Sequence, residues 1–142
     1  MSASRLKYYK TLFLISAIYD SVLGILFTFF YRPVFSMLGI ADKLPAFGGY
    51  ISLIGAFLFV IGIGYFLIYI GDLYKNRDLV IVGVLYKLAY CAVTFYYYLA
   101  GNFPHVIFVA VFSVADLIFF VLMLECLIFL VRGTKEPVPI KR

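Results

Sequence analysis

The sequence predicts an all-α integral membrane protein, a four-helix bundle with both termini on the cytoplasmic side (N-in/C-in). Three observations carry this. The chain of 142 residues is 65% hydrophobic and only 13% charged, and a soluble domain of that size has too little polar surface to cover so much apolar material. The apolar residues fall into four runs long enough to cross hydrocarbon. The basic residues are shared very unequally among the segments between those runs. The bilayer is therefore the solvent for most of the chain. Soluble enzyme folds are set aside, and nucleic acid is not an expected partner. The net charge of +5 reads as membrane topology and contact with anionic lipid.

Residues 1–142 read as one transmembrane domain, with spans at about 11–31, 47–70, 79–100 and 104–131. Arg5, Lys7 and Lys10 precede the first run, as in a signal peptide. That run is too long for a signal core, contains Asp20 and is not followed by a small-residue cleavage pattern, so it is expected to remain as a span. The fourth run is long enough to tilt. The longest link, 32–46, is expected to carry a short interfacial helix over 33–38, opened by Pro33 and closed by Gly39. Val34, Phe35, Met37 and Leu38 would then lie against the interface. "GDLYKNRD" (71–78) is a short charged turn, and "AGNFP" (100–104) a tighter one with Pro104 in the first turn of the next helix. Such links make consecutive spans antiparallel neighbours. The basic tail from 133 to 142 holds two prolines and is expected to be loose.

Arg5, Lys7, Lys10, Lys75, Arg77, Arg132, Lys135, Lys141 and Arg142 lie at the N-terminal end, in the second link and in the tail, against Arg32 and Lys43 in the other two links. The imbalance puts both termini in the cytoplasm, with the cytoplasmic membrane of a prokaryote as the expected location. Tyr8, Tyr9 and Tyr74 would mark the inner interface, and Tyr31, Tyr50, Tyr96, Tyr97 and Tyr98 the outer one.

In the second span Gly48, Ser52, Gly55, Phe59, Gly62 and Tyr69 recur on one helical stripe. Small residues there let another backbone come close where no hydrophobic effect drives helices together. "GIGY" (62–65) lacks the strand and lysine of a phosphate loop and reads as packing. Cys91 and Cys126 have no metal-ligand spacing and stand at different depths, so they read as buried thiols.

Four ionisable residues fall within the spans: Asp20, Lys87, Asp116 and Glu125. A charge at a helix centre costs about 2.5–3.5 kcal/mol on insertion scales, and each surrounding large aliphatic or Phe returns about 0.3–0.6 kcal/mol. Insertion thus permits Lys87 without explaining it. The first and third spans start at the same face, and Asp20 and Lys87 both stand roughly 12 Å into them. Their side chains lean the same way, which makes Asp20 the first partner for Lys87. Asp116 enters from the opposite face to about 18 Å and completes an Asp–Lys–Asp cluster. Two carboxylates and one ammonium leave a formal charge of −1, which one shared proton would cancel. Glu125 lies on the opposite side of its helix and is expected to face a partner chain or the basic inner interface. Ser16, Asp20 and Gly24 share one face, as do Gly83, Lys87, Tyr90 and Cys91, and Ser113, Asp116 and Phe120. The deep tyrosines Tyr19, Tyr65, Tyr86 and Tyr90 need hydrogen-bond partners when buried and are expected around the cluster.

The motifs "YDSVLG" (19–24), "LG" (38–39), "IGIGYF" (61–66), "NRDLVIVGVLYK" (76–87), "NFP" (102–104) and "VADLIFFVLML" (114–124) resemble the DoxX-like family of small four-span membrane proteins over about three quarters of the chain. The resemblance implies a four-helix membrane bundle. The wider group includes subunits of membrane oxidoreductases that pass electrons to quinone, and many members without an assigned activity. Asp20, Lys87 and Asp116 match places where such proteins carry polar residues.

Three functions compete. The first is a subunit or binding protein that holds a lipophilic ligand, a quinone or a lipid, beside the Asp20–Lys87–Asp116 cluster, within an oligomer or a larger membrane complex. The second is a proton-coupled transporter or channel subunit, for which mid-membrane carboxylates suit a relay. The third is a small membrane isomerase or oxidoreductase using Asp20 and Asp116 as acid and base. The chain carries no haem, flavin or iron–sulfur signature, and its single histidine, His105, stands at an outer helix start. No cofactor is evident beyond a quinone that the pattern would suit, no metal is expected, and the chain is not expected to catalyse a reaction on its own.

Overall fold

Long apolar runs without interior proline leave the backbone one way to satisfy its polar groups in hydrocarbon, which is the α-helix. A computed structural model describes residues 3–101 and 105–133, all helix, turn or link, with no strand among them. Four helical stretches are long and apolar enough to cross a bilayer, Ala3–Phe29, Gly49–Ile70, Arg77–Leu99 and Phe108–Arg132. The chain is an integral membrane protein. Helices α1 (Ala3–Phe29), α3 (Gly49–Ile70), α4 (Arg77–Leu99) and α5 (Val114–Gly133) build the bundle, and α2 (Tyr31–Met37) lies between α1 and α3. A π-helical stretch, Phe108–Ser113, leads into α5. The expectations for Pro104 and for the tail beyond Gly133 concern residues outside those described.

Helix α1 begins well before the apolar run. Its first turns carry good helix formers, and Leu6 already packs against the core. Tyr9, expected at the interface, is instead 1% exposed. Its hydroxyl donates to Glu125 Oε1 at 3.0 Å, which supplies the partner a buried phenol needs. The short helix starts two residues earlier than Pro33, which sits in the first turn, where a missing N–H costs nothing. It ends where Gly39 takes φ +70°. Gly39 N–H bonds Ser36 O at 3.0 Å and Ile40 N–H bonds Phe35 O at 2.9 Å, the paired closure that a left-handed glycine permits. Met37 is exposed, but Phe35 turns inward and is buried.

The helices stand in the cyclic order α1, α3, α4, α5. The closest seam joins α1 to α3. A Cβ on Gly24 would stand 2.6 Å from Phe59 N and 2.8 Å from Gly55 O, and one on Gly55 would stand 2.5 Å from Thr28 N. Thr28 Oγ1 donates to Gly24 O at 2.7 Å within α1, and Ser52 Oγ donates across the seam to Thr28 O at 3.0 Å. The glycine stripe therefore sets backbone against backbone, and a hydroxyl adds polar attachment.

The bundle is unevenly filled. In the half that holds the start of α1 and the end of α5, Phe13, Ile68, Val80, Met123, Cys126 and Leu130 are completely buried. That packing stops at the level of Asp20, Lys87 and Asp116. In the other half the helices enclose a cavity. Outward faces are mostly apolar, with Ile18, Phe57, Val60, Leu85 and Ile118 each more than half exposed, as acyl chains require.

Gly24→Ala is expected to destabilise the protein by about 1–3 kcal/mol, because only backbone lies in the path of the new methyl. Gly64→Ala, which meets open space, should be neutral or should stabilise by up to about 1 kcal/mol. Thermal melts in detergent check the pair, and equal losses would contradict the seam.

Candidate functional site

Three helices bring one ionisable side chain each to the top of the packed half: Asp20 from α1, Lys87 from α4 and Asp116 from α5. Lys87 Nζ donates to Asp20 Oδ1 at 2.9 Å, to Asp20 Oδ2 at 3.0 Å and to Asp116 Oδ1 at 2.5 Å. The Lys87 and Asp20 side chains are fully buried, and that of Asp116 is 6% exposed. Helices α1 and α4 are diagonal in the bundle, so the long lysine stem is what joins them. An ammonium taken out of water needs excellent geometry to recover its hydration. Here each of its three protons meets a carboxylate oxygen, and four rings surround it. Its nitrogen lies 5.3 Å from the ring centres of Tyr19 and Tyr86, 5.4 Å from Phe119 and 5.8 Å from Tyr65. Aromatic faces attract a desolvated cation.

The tyrosines differ in what they do. Tyr65, on α3, is buried and donates to Gly83 O at 3.2 Å. A Cβ on Gly83 would meet the Tyr65 ring at 2.5 Å, so the glycine makes room for this phenol. Through Tyr65 the fourth helix also reaches the cluster. Tyr86 and Tyr90 are half-buried and line the cavity. Tyr19 lines it too, and its hydroxyl is buried with no hydrogen-bond partner among the described residues. Such a group carries a desolvation penalty until something pairs with it. Glu125, about two and a half turns along α5 from Asp116, is not brought to the cluster. It is an exposed residue whose Oε1 takes the Tyr9 bond.

The cavity has a volume of about 540 Å³. Asp20, Asp116, Tyr19 and Tyr86 form its polar end. Its far end is an aromatic group in which Phe27 packs on Phe35 and Phe112 at 6.4 and 6.0 Å, and Phe35 on Phe108 at 5.8 Å. Helix α2 thus serves to place Phe35 over that end. Ile54 of α3 and Val93 of α4 line the side where these two helices diverge, and both are more than half exposed. There the cavity faces the acyl chains.

Several of these residues carry little signal in the sequence. Thr94 also lines the cavity and could have been found, since it continues the stripe of Gly83, Lys87 and Cys91 by one turn. Nothing in the sequence marks the π-helical stretch. There Ser113 Oγ donates to Phe108 O, five residues back, at 3.3 Å, and the Cys91 thiol donates to Ser113 O at 3.9 Å. Widened turns of this kind free carbonyls for other donors. Cys91 and Cys126 are both free thiols. No group of metal-ligating side chains occurs among the described residues.

Fold and site together define a class: a small polytopic helical membrane protein whose four spans surround buried ion pairs. No family model, curated protein or solved structure matches the chain.

Lys87→Met is expected to cost about 3–5 kcal/mol, because it strands two buried carboxylates. Lys87→Met combined with Asp20→Asn should lose less than the sum of the single losses. Denaturant unfolding in mixed micelles measures the coupling, and strict additivity would show that the three groups do not act as a unit.

Proposed function

We propose that the protein holds a lipophilic ligand, a quinone or a lipid, in the cavity between α1, α3, α4 and α5, with the polar end of the ligand toward Asp20, Lys87 and Asp116. One observation carries the reading: an apolar chamber of about 540 Å³ ends on a few convergent polar side chains and faces acyl chains at its side. That volume falls in the range of small-molecule sites, and so does the pairing of apolar walls with a small polar set. A ligand dissolved in the bilayer has a direct approach between Ile54 and Val93.

Within this reading the chain acts as a binding subunit with both termini in the cytoplasm of a prokaryote, as its basic residues favour. The resemblance to DoxX-like proteins supports a place beside a membrane oxidoreductase that uses quinone. Proton-coupled transport draws less support. A relay needs polar groups on both sides of the carboxylates, yet one side is filled by Phe13, Ile68 and Met123 and the other is closed by Phe27, Phe35 and Phe108.

Lipid extraction of natively purified protein should recover an isoprenoid, quinone or other lipid in near-stoichiometric amount. Leu23→Trp, which fills the cavity wall, should remove most of it while helical content by circular dichroism stays unchanged. Wild-type protein that yields no such molecule would end the proposal.

A further inference from the structure

We infer that the chain between α1 and α3 forms a second binding site, a pocket for the phosphate group of an anionic phospholipid, with Arg32 as the residue that holds the anion. This site is separate from the chamber among the spans and does not depend on it.

The course of the chain makes the pocket. Helix α2 follows α1 after Phe30 alone, so Tyr31 and Arg32 stand where the first span ends. Gly39 turns the chain at φ +70°. Leu44 is extended, as the residue before a proline prefers. Leu44, Pro45 and Gly48 thereby come to face Tyr31, Arg32 and Ser36 across a cavity of about 350 Å³. The cavity belongs to a link between two membrane-crossing helices, which puts it at the level of the lipid headgroups. Phe30, Met37 and Phe47 of the same stretch are exposed apolar side chains, in place to meet acyl chains.

The polar side chains of this cavity are grouped. Arg32 and Ser36 are both exposed and lie four residues apart on α2, one turn along the same face. The Arg32 guanidinium carbon is 5.9 Å from the Tyr31 ring centre. The Tyr31 hydroxyl sits against Gly48, where a Cβ would overlap it. No carboxylate lines the cavity. The described acids are engaged elsewhere: Asp20 and Asp116 with Lys87, Asp42 with Lys43 at 2.7 Å, and Asp78 beside Arg77 at 3.8 Å. Glu125 takes the Tyr9 hydroxyl, and Asp72 takes the N–H groups of Tyr74 and Lys75. Arg32 is therefore a cation without a counter-ion among the described residues.

A guanidinium offers paired N–H groups that match two oxygens of one phosphate. The Ser36 and Tyr31 hydroxyls add donors beside it. A zwitterionic headgroup would bring an ammonium to a pocket that holds a cation and no carboxylate. The ligand class is thus a phosphodiester lipid with a net negative headgroup, such as phosphatidylglycerol.

The test titrates the full-length protein in neutral detergent with dioctanoyl phosphatidylglycerol, dioctanoyl phosphatidylcholine or inorganic phosphate, and reads binding by native mass spectrometry. Phosphatidylglycerol is expected to bind at least about tenfold more tightly than phosphatidylcholine, the worth of one charged hydrogen-bonded contact. Arg32→Gln should abolish that preference, and Arg32→Lys should restore only part of it. Lys75→Gln, which removes an exposed cation from another link, should leave it intact. So should Leu23→Trp, which fills the chamber wall, and this separates the pocket from any lipid held in the chamber. Equal binding of the two lipids, a preference that survives Arg32→Gln, or an equal loss in Lys75→Gln overturns the site. Displacement of phosphatidylglycerol by inorganic phosphate at equal concentration overturns the lipid as its ligand.

Discussion

An ammonium in hydrocarbon cannot be left to itself, and the way Lys87 is satisfied governs the rest of the molecule. Its partners come from α1 and α5 and its ring contacts from α1, α3, α4 and α5. Helices in lipid slide past one another at little cost where only methyl groups touch. Three oxygens around one nitrogen remove that freedom and tie the depth of α1, α4 and α5 together. Tyr65 adds α3 through the Gly83 carbonyl. The lysine is therefore a register device whatever else it does, and polar groups that fix register are a well-attested use of buried charge.

The cavity follows from a second constraint, the glycine seam. Backbone contact at Gly24 and Gly55 draws α3 against α1. A helix pulled close to one neighbour stands farther from the other, and α3 and α4 share much less contact than α1 and α3. In the packed half, large side chains such as Phe13, Tyr65 and Met123 fill the difference. In the other half they do not, and the space remains. Helix packing by small residues and an apolar chamber are thus two results of one choice of sequence, since the residues that save room on one side leave it on the other.

Much of this was legible before any coordinates, and the reasons are physical. Span number follows from apolar length, because hydrocarbon imposes a minimum that few sequences meet by chance. Which ionisable groups lie deep follows from counting rise along a helix, and that arithmetic puts Asp20 and Lys87 at one level. The inward course of Phe35 was not legible. Its neighbours are apolar on every side, so periodicity gives no face, and only the closure at Gly39 and Ile40 settles which way it points. Tyr9 was misread for a related reason: tyrosine suits both an interface and a core, and its place depends on Glu125, more than a hundred residues away. The cavity itself is a property of helix divergence, which no single segment encodes. The widened turn before α5 was equally hidden, since it differs from an α-helix only in where one carbonyl points.

That turn has a consequence for how the chain can vary. A π-helical segment holds one residue more than the α-helix it replaces. Removing a residue anywhere in 108–113 lets the backbone close into regular helix without moving Asp116 or anything after it. The residues on either side of the deletion keep their facing, because the widened turn had already taken up the extra residue's rotation of about 100°. The stretch is a mutational buffer: a residue can be lost there while the aromatic end of the chamber and the charged end stay in register.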